Sequence, residues 1–367
     1  MNLKNTFGNQ LQVTLFGESH SAGLGVVLDG LAPGIRVDEE FIRSQLSKRR
    51  PAGKISTARK EQDEYTIQCG VFNGCTTGTP LCITIPNTAQ HSKDYSENRA
   101  KARPGHADFT AYCKYHGFED YRGGGHFSGR ITAGLVAAGA VLIPALEKKG
   151  IFIGSHIRKC AEIADRSFEN YADDFATLKN SEFPTLSSDA ADLMKKAIEA
   201  VASDGDSVGG IIETAIVGVP AGVGEPWFDS VESMLSHGMF SIPAVKGVSF
   251  GDGFAMADMK GSQANDPFAM NGECVVTTKN SNGGINGGIT NGMPILMQAV
   301  IKPTPSIFKE QKTVDFFKNE DVSLQLQGRH DPCIVHRACV VADSICAIVI
   351  ADLLTQRFGT DYLGEKQ

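Results

Sequence analysis

The chain has 367 residues and a formal net charge of −7, with 41% hydrophobic and 21% charged residues. That acidic balance argues against nucleic acid as a partner, because a binder usually presents a basic face, while the apolar content suffices for a large core and no Pro/Ser-rich or low-complexity stretch marks a linker. Nine cysteines, odd in number and without a CxxC pair, point to a reducing compartment, to buried inert thiols and away from a metal site.

The first thirteen residues, MNLKNTFGNQLQV, show neither a basic-then-apolar signal pattern nor an Arg-rich amphipathic leader, so a soluble cytoplasmic protein is expected. Residues 11–15 read as a strand leading into GESH at 17–20, and residues 25–28 as a second, buried strand. Residues 38–49 read as a helix, with Asp38 able to cap it and Phe41, Ile42 and Leu46 at helical spacing. Strands follow at 65–71 and 81–85, joined by the turn-rich NGCTTGTP, and then a short helix at 110–115. Residues 131–148 read as a long apolar helix. Its uncharged stretch of 16 residues, 131–146, contains Gly134, Gly139 and Pro144 and falls short of the ~20 residues of a membrane span. A core helix is expected there, and no membrane.

Residues 151–157 read as a strand, and 188–201 as the clearest amphipathic helix, with Leu193, Met194, Ala197, Ile198 and Val201 on one face. A strand is expected at 209–219, a helix at 228–237, a weak helix at 265–270, a strand at 295–301 and a second buried helix at 338–354. Short turns between successive strands favour antiparallel pairing. No GxGxxG follows a strand and opens a helix, and no GK[ST] follows the glycines of YRGGG, so neither a Rossmann unit nor a P-loop is supported.

The chemistry is concentrated in loops. Residues 103–130, RPGHADFTAYCKYHGFEDYRGGGHFSGR, combine Arg, His, Gly and aromatics without apolar periodicity. Such a segment suits a surface where backbone and Arg forks approach an anion closely, although glycines that only serve turns would read the same way. Residues 47–61 hold six Lys or Arg in fifteen positions. A local basic cluster in an acidic chain suits a small polyanionic ligand; for any single lysine, a solvated surface is the simpler reading.

Twelve segments in order, GESH, RRP, TTGTP, RPGHAD, YRGGG, GDSVGG, VPAGVGEP, AVKGV, GDGF, GSQAND, NGGINGGI and GRHDP, make the chain closely resemble the chorismate synthase family over nearly its whole length. The resemblance implies an α+β fold with helices packed between antiparallel sheets, a single domain over residues 1–367, and a homotetramer. It implies a 1,4-anti elimination of phosphate from 5-enolpyruvylshikimate-3-phosphate to give chorismate, with reduced FMN required though no net redox change occurs.

By the same resemblance, Arg49, Lys54, Arg103 and Arg130 face the anionic substrate, where bidentate Arg is the natural partner. Lys54 departs from the Arg common in the family, keeping the charge but losing the fork. His20 is implied to protonate the departing phosphate, and His106 the reduced flavin or a substrate-derived species. Asp331 is implied to handle the flavin N5 proton, and Ser19 and Ser128 to hydrogen-bond the flavin or relay protons. An ion pair with Arg329 or a capping role is the alternative for Asp331. The FMN positions are His126, Phe127, Ser128, Pro243, Ala244, Gly287, Lys302, Pro303, Thr304, Pro305, Ser306 and Arg329. His126 is a departure from many relatives. His91 and His156 lie outside the motifs and are expected to tolerate Ala. Two other readings remain: a non-catalytic flavin or phosphate-binding module, which would need neither motif histidine, and a flavin oxidoreductase with its own hydride-donor site. The absence of long insertions favours a chain that does not reduce its own flavin.

Overall fold

Asp38 caps as its type predicts: its carboxylate accepts the N–H of Phe41 at 2.9 Å, and helix α1 (Glu39–Lys48) follows with Ile42 and Leu46 buried. The remaining helices are α2 (Asp108–Tyr115), α3 (Thr132–Lys148), α4 (Tyr171–Lys179), α5 (Ser188–Ser203), α6 (Val231–Ser241), α7 (Gly261–Ala264) and α8 (Val335–Phe358). The structure, a computed structural model, describes residues 5–51, 55–56, 62–88, 99–326 and 330–365.

Two five-stranded antiparallel sheets enclose helices α3 and α8. The first runs Thr6–Phe7, Gln12–Gly17, Gly23–Asp29, Leu81–Pro86, Thr66–Cys69 from edge to edge. The second runs Val245–Phe250, Ile295–Ile301, Gly210–Val217, Phe152–Cys160, Ile163–Ala164. Helix α3 packs on the first sheet, α8 on the second, and the two helices pack on each other. The result is the expected α+β sandwich with helices inside.

This layering explains why α3 and α8 have no polar face. A helix covered on both sides gains nothing from charge on either. Taken with the turn before it (Gly129–Lys148), α3 is longer than the stretch 131–146 suggests, and both it and α8 are long and apolar enough to cross a membrane; yet 89% and 94% of their most apolar windows are buried within the protein, so they are core helices. They cross where a Cβ on Gly139 would stand 2.5 Å from Cα of Ser344, a separation that only glycine permits. The one carboxylate buried deep in α8's last turns, Asp352, accepts the N–H groups of Asn9, Gln10 and Leu11 at 2.8–2.9 Å and so ties the N-terminal turn to the core.

Some expectations need correction. Residues 265–270 are not helical: α7 ends at Ala264, and a strand begins at Phe268. Pro267 disfavours helix at the residue before it, and the Asp266 carboxylate is committed to the N–H groups of Ser281 and Asn282. Helix α6 starts at Val231 rather than 228, capped by Ser230. In α5, Met194 and Ile198 are buried as expected, but Leu193 is 52% exposed and Ala190 and Ala191 take the inner face instead. The nine thiols are unpaired, but only Cys160, Cys333, Cys339 and Cys346 are buried, while Cys69, Cys113 and Cys274 are exposed.

Candidate active site

The loops singled out by composition converge on a cavity of about 790 Å³ between the two sheets' edges and the N-terminal ends of α3 and α8. Its floor is apolar, built by Leu15, Ile131, Leu135, Val341, Ile345 and Phe7. Among the described residues its polar wall carries five cations, Arg49, Arg50, Arg130, Lys302 and Arg337, against one carboxylate, Asp331. A concave, apolar-floored site with that excess of positive charge favours a polyanion attached to an apolar body.

Arg49 follows the last turn of α1 and Arg130 precedes the first turn of α3, so helix ends bring both to one place. Both are buried and share Asp63, which accepts from Arg49 Nη2 at 2.7 Å and from Arg130 Nη1. Burial pushes Asp63 upward, but the two guanidinium groups outweigh it and hold its carboxyl below the usual range. Arg130 is fixed further by Asn87 Oδ1 at 3.1 Å and the Pro86 carbonyl at 3.3 Å. Asn87 in turn donates to the carbonyls of Glu18 and Ser21, both at 2.9 Å. The arginines are thus preorganised before any ligand binds.

The GESH turn and the triple glycine form one unit. Ser19 N donates to the Gly125 carbonyl at 3.0 Å, and the His126 ring bonds the Gly17 carbonyl at 2.7 Å. Gly123, Gly124 and Gly125 all have positive φ. A Cβ on Gly123 would stand 2.3 Å from Cε1 of His20, and one on Gly124 would stand 3.3 Å from Cε1 and Nε2 of His106. The two motif histidines therefore lie against successive residues of the same bare backbone, which no side chain could separate without displacing one of them. His106 lines the cavity; His20 and Ser19 are buried behind Gly123, which lines it.

Of the expected site residues, Arg49, His106, His126, Phe127, Ser128, Arg130, Pro243, Ala244, Lys302, Thr304, Pro305, Ser306 and Asp331 line the cavity. Ala244 adopts φ +76°, a conformation costly for a residue with a Cβ and typical of functional sites. Its carbonyl accepts from Lys302 N at 2.9 Å, and Lys302 Nζ donates to the Gly105 carbonyl at 2.5 Å, which ties KPTPS to RPGHAD. Asp331 is ion-paired with Arg337. Pro303 lies within the KPTPS loop but off the cavity wall.

Besides Ser19, His20 and Pro303, two further expected residues do not line the cavity. Arg103 does not line the cavity; it grips Asp108 through Nε and Nη2, both at 2.7 Å. Gly287 sits with Gly288 at the turn of a hairpin pairing Ile285–Asn286 with Ile289–Thr290, away from the cavity, and its positive φ serves that turn. Lys54, Arg329 and His91 lie outside the described residues. His156 is no neutral control: it is buried between Glu213, 3.0 Å from Nε2, and Asp165, 3.4 Å from Nδ1.

Sequence reading missed Asp63, Arg337, Asp108 and Asn87. Arg337 was legible in principle, since it falls one helical turn beyond the RHDPC segment. Asp63 and Asn87 gave no local signal, because their partners are distant in sequence.

A profile described as chorismate synthase matches residues 11–355. The chorismate synthase of Thermococcus kodakarensis is 45% identical over 352 residues, covering 95% of this chain and 97% of that protein. That of Sulfurimonas denitrificans is 44% identical over 361 residues, covering 98% of each. The chain belongs to the chorismate synthase family. A chorismate synthase crystal structure aligns with a TM-score of 0.76 at 29% identity, covering 97% of this chain and 95% of that one, so the sandwich is the family's fold. Chorismate synthases are lyases of the shikimate pathway, and this chain is such an enzyme. The family requires reduced FMN. Here the residues fit such a group: the floor is apolar, and Thr304 Oγ1, on the cavity wall, is buried with no hydrogen-bond partner among the described residues.

Proposed function

We propose that this cavity is where 5-enolpyruvylshikimate-3-phosphate undergoes 1,4-anti elimination of phosphate to chorismate, with reduced FMN bound beside it. The observation that carries the assignment is the buried Arg49–Asp63–Arg130 cluster opening onto the same cavity as His106. Its two preorganised forks suit the phosphate and carboxylates of the substrate. Phe127, Ser128, Pro243, Ala244 and the hydroxyls of Thr304 and Ser306, with Lys302, would hold the flavin, the apolar floor taking its rings. When bound, reduced FMN supplies an electron-rich ring system that eases departure of the phosphate.

The protein's own groups do the rest. Arg49 and Arg130 hold the anionic substrate and stabilise charge on the leaving phosphate. His20, against Gly123, is the proposed proton donor to that phosphate, and His106 exchanges a proton at Nε2. Asp331, paired with Arg337, lines the same cavity as His106 and is the proposed handler of the flavin N5 proton. The chain would act as one domain, in the cytoplasm, and as a homotetramer; the exposed Trp227, Phe228 and Phe254 give apolar surface for self-association.

An anaerobic assay tests the reading. Chorismate should form when chemically reduced FMN is supplied, and should not form when oxidised FMN and NADPH replace it. No chorismate with reduced FMN overturns the assignment; chorismate with NADPH would mean the chain reduces its own flavin.

Arg49→Ala should raise the apparent KM for the substrate roughly tenfold to a hundredfold, because a hydrogen bond to a charged group is worth about 1.5–3 kcal/mol. Steady-state kinetics at saturating reduced FMN would show it. An unchanged KM would remove Arg49 from the anion site.

FMN should also bind more tightly when substrate is present, since the two share one cavity and its cations. Equal flavin affinity in titrations with and without substrate would count against a shared site.

A further inference from the structure

We propose that Asp108 is the positioning residue for His106: it fixes the ring's orientation and tautomer so that Nε2 is the atom presented to the cavity. The proposal rests on His106 acting as an acid–base group.

The geometry is specific. Asp108 Oδ1 lies 2.7 Å from His106 Nδ1, and Arg103 Nη2 lies 3.1 Å from the same nitrogen. Arg103 carries only donors. If Nδ1 bore a lone pair, that pair would face a carboxylate oxygen at 2.7 Å. A proton on Nδ1, donated to Oδ1 at 2.7 Å, removes that conflict, and Arg103 Nη2 then donates to Asp108 Oδ1, at 2.7 Å, in preference to the ring nitrogen at 3.1 Å. Nε2, on the far side of the ring, is then the nitrogen next to Gly124 and free to exchange a proton.

Asp108 is itself held rigidly. It accepts from Arg103 Nε and Nη2 at 2.7 Å each and from the Arg103 backbone N–H at 3.1 Å. It is also the first residue of α2, where the helix dipole favours negative charge. Burial pushes its carboxyl upward, but the hydrogen bonds from Arg103 and His106 outweigh that and hold it well below the usual carboxylate range. It is therefore an anion whenever the enzyme works. The charged groups around the ring are Arg103, Asp108 and Lys302, the last reaching in through the Gly105 carbonyl. Arg103, expected to bind substrate, acts instead by neutralising and orienting Asp108.

This arrangement follows the general logic of a base oriented by a buried carboxylate, where loss of the carboxylate allows the wrong tautomer. The amide of Asp108→Asn can donate to Nδ1, which would move the ring proton to Nε2.

A double-mutant cycle tests the proposal, with reduced FMN supplied and melting curves recorded for each variant. Asp108→Asn should lower kcat by ~10² or more with KM changed less than about threefold. In the His106→Ala background the same substitution should lower kcat by no more than about twofold, since its effect passes through the missing ring. Asp108→Glu, which keeps the carboxylate, should recover part of the loss and serves if Asp108→Asn folds poorly. Nitrogen NMR of the His106 ring should show Nδ1–H in the wild type and its loss in Asp108→Asn. An equal kcat loss with and without His106, or full activity in Asp108→Asn, overturns the proposal. If His106→Ala alone left turnover intact, the acid–base reading of His106 would fail first, which keeps the two failures distinct.

Discussion

His106→Ala and His20→Ala should each lower turnover by ~10²–10⁴, the worth of a positioned general acid or base. The two replacements differ in their surroundings. The His106 side chain is 18% exposed on a polar loop, so its removal leaves no core cavity. His20 is buried against Gly123, and a shortened side chain there loosens the packing between GESH and the triple glycine. A modest fall in melting temperature is therefore expected for His20→Ala and almost none for His106→Ala, while both lose turnover per folded molecule. The measurement is kcat at saturating substrate with reduced FMN supplied, beside FMN binding and a melting curve. Wild-type turnover in both variants would refute the acid–base assignment while leaving the family membership untouched.

The second large effect is on stability. His156 stands opposite Glu213 on the neighbouring strand of the second sheet and edge-on to Phe168 at 4.8 Å. Its ring lies between the carboxylates of Glu213 and Asp165. Burial pushes its pKa down, but the carboxylates of Asp165 and Glu213 on either side of the ring outweigh this and raise it. Burial likewise pushes both carboxyls up, and their bonds to His156 outweigh it and lower them.

Removing the ring leaves two buried like charges without their cation, which costs about 3–5 kcal/mol. His156→Ala should therefore melt well below the wild type in the neutral range, or fail to accumulate. The pH dependence has a sign. Because the His156 pKa is raised on folding, its contribution is complete below the unfolded value of roughly 6.5 and fades as pH rises through the folded value. The carboxylates act oppositely: theirs is complete above roughly 4 and fades as pH falls through their lowered values. Melting temperatures across pH should show the gap between wild type and His156→Ala shrinking on the alkaline side. A variant as stable as the wild type at pH 6 would show that the cluster contributes nothing.

Most elements were legible because local pattern and tertiary role agree. The Asp38 cap, the apolar alternation of residues 209–219 and the long, largely apolar stretches of α3 and α8 each point to one answer. The site loops were legible by composition, since glycine, arginine and histidine crowded into short polar segments have few structural uses. Residues 265–270 misled because their sequence has no strong period, and Pro267 and the commitments of Asp266 decided the backbone.

What the sequence could not decide is which charge meets which. RPGHAD places Arg103 beside His106, and only the fold shows that Arg103 pairs with Asp108 while Arg49 and Arg130, expected alongside it, line the cavity. Asp63 is 67 residues from Arg130 and holds it; Asp331 pairs six residues forward with Arg337, in the first turn of α8. Likewise His156, outside the motifs, was expected to tolerate Ala, whereas the sheet brings Glu213 opposite it and both are buried. Local sequence sets backbone preference through sterics and hydrogen bonding within a few residues. The charge partners of a buried ion are set by chain segments that meet only when the core closes, and they then determine whether an arginine binds a ligand or steadies a neighbour.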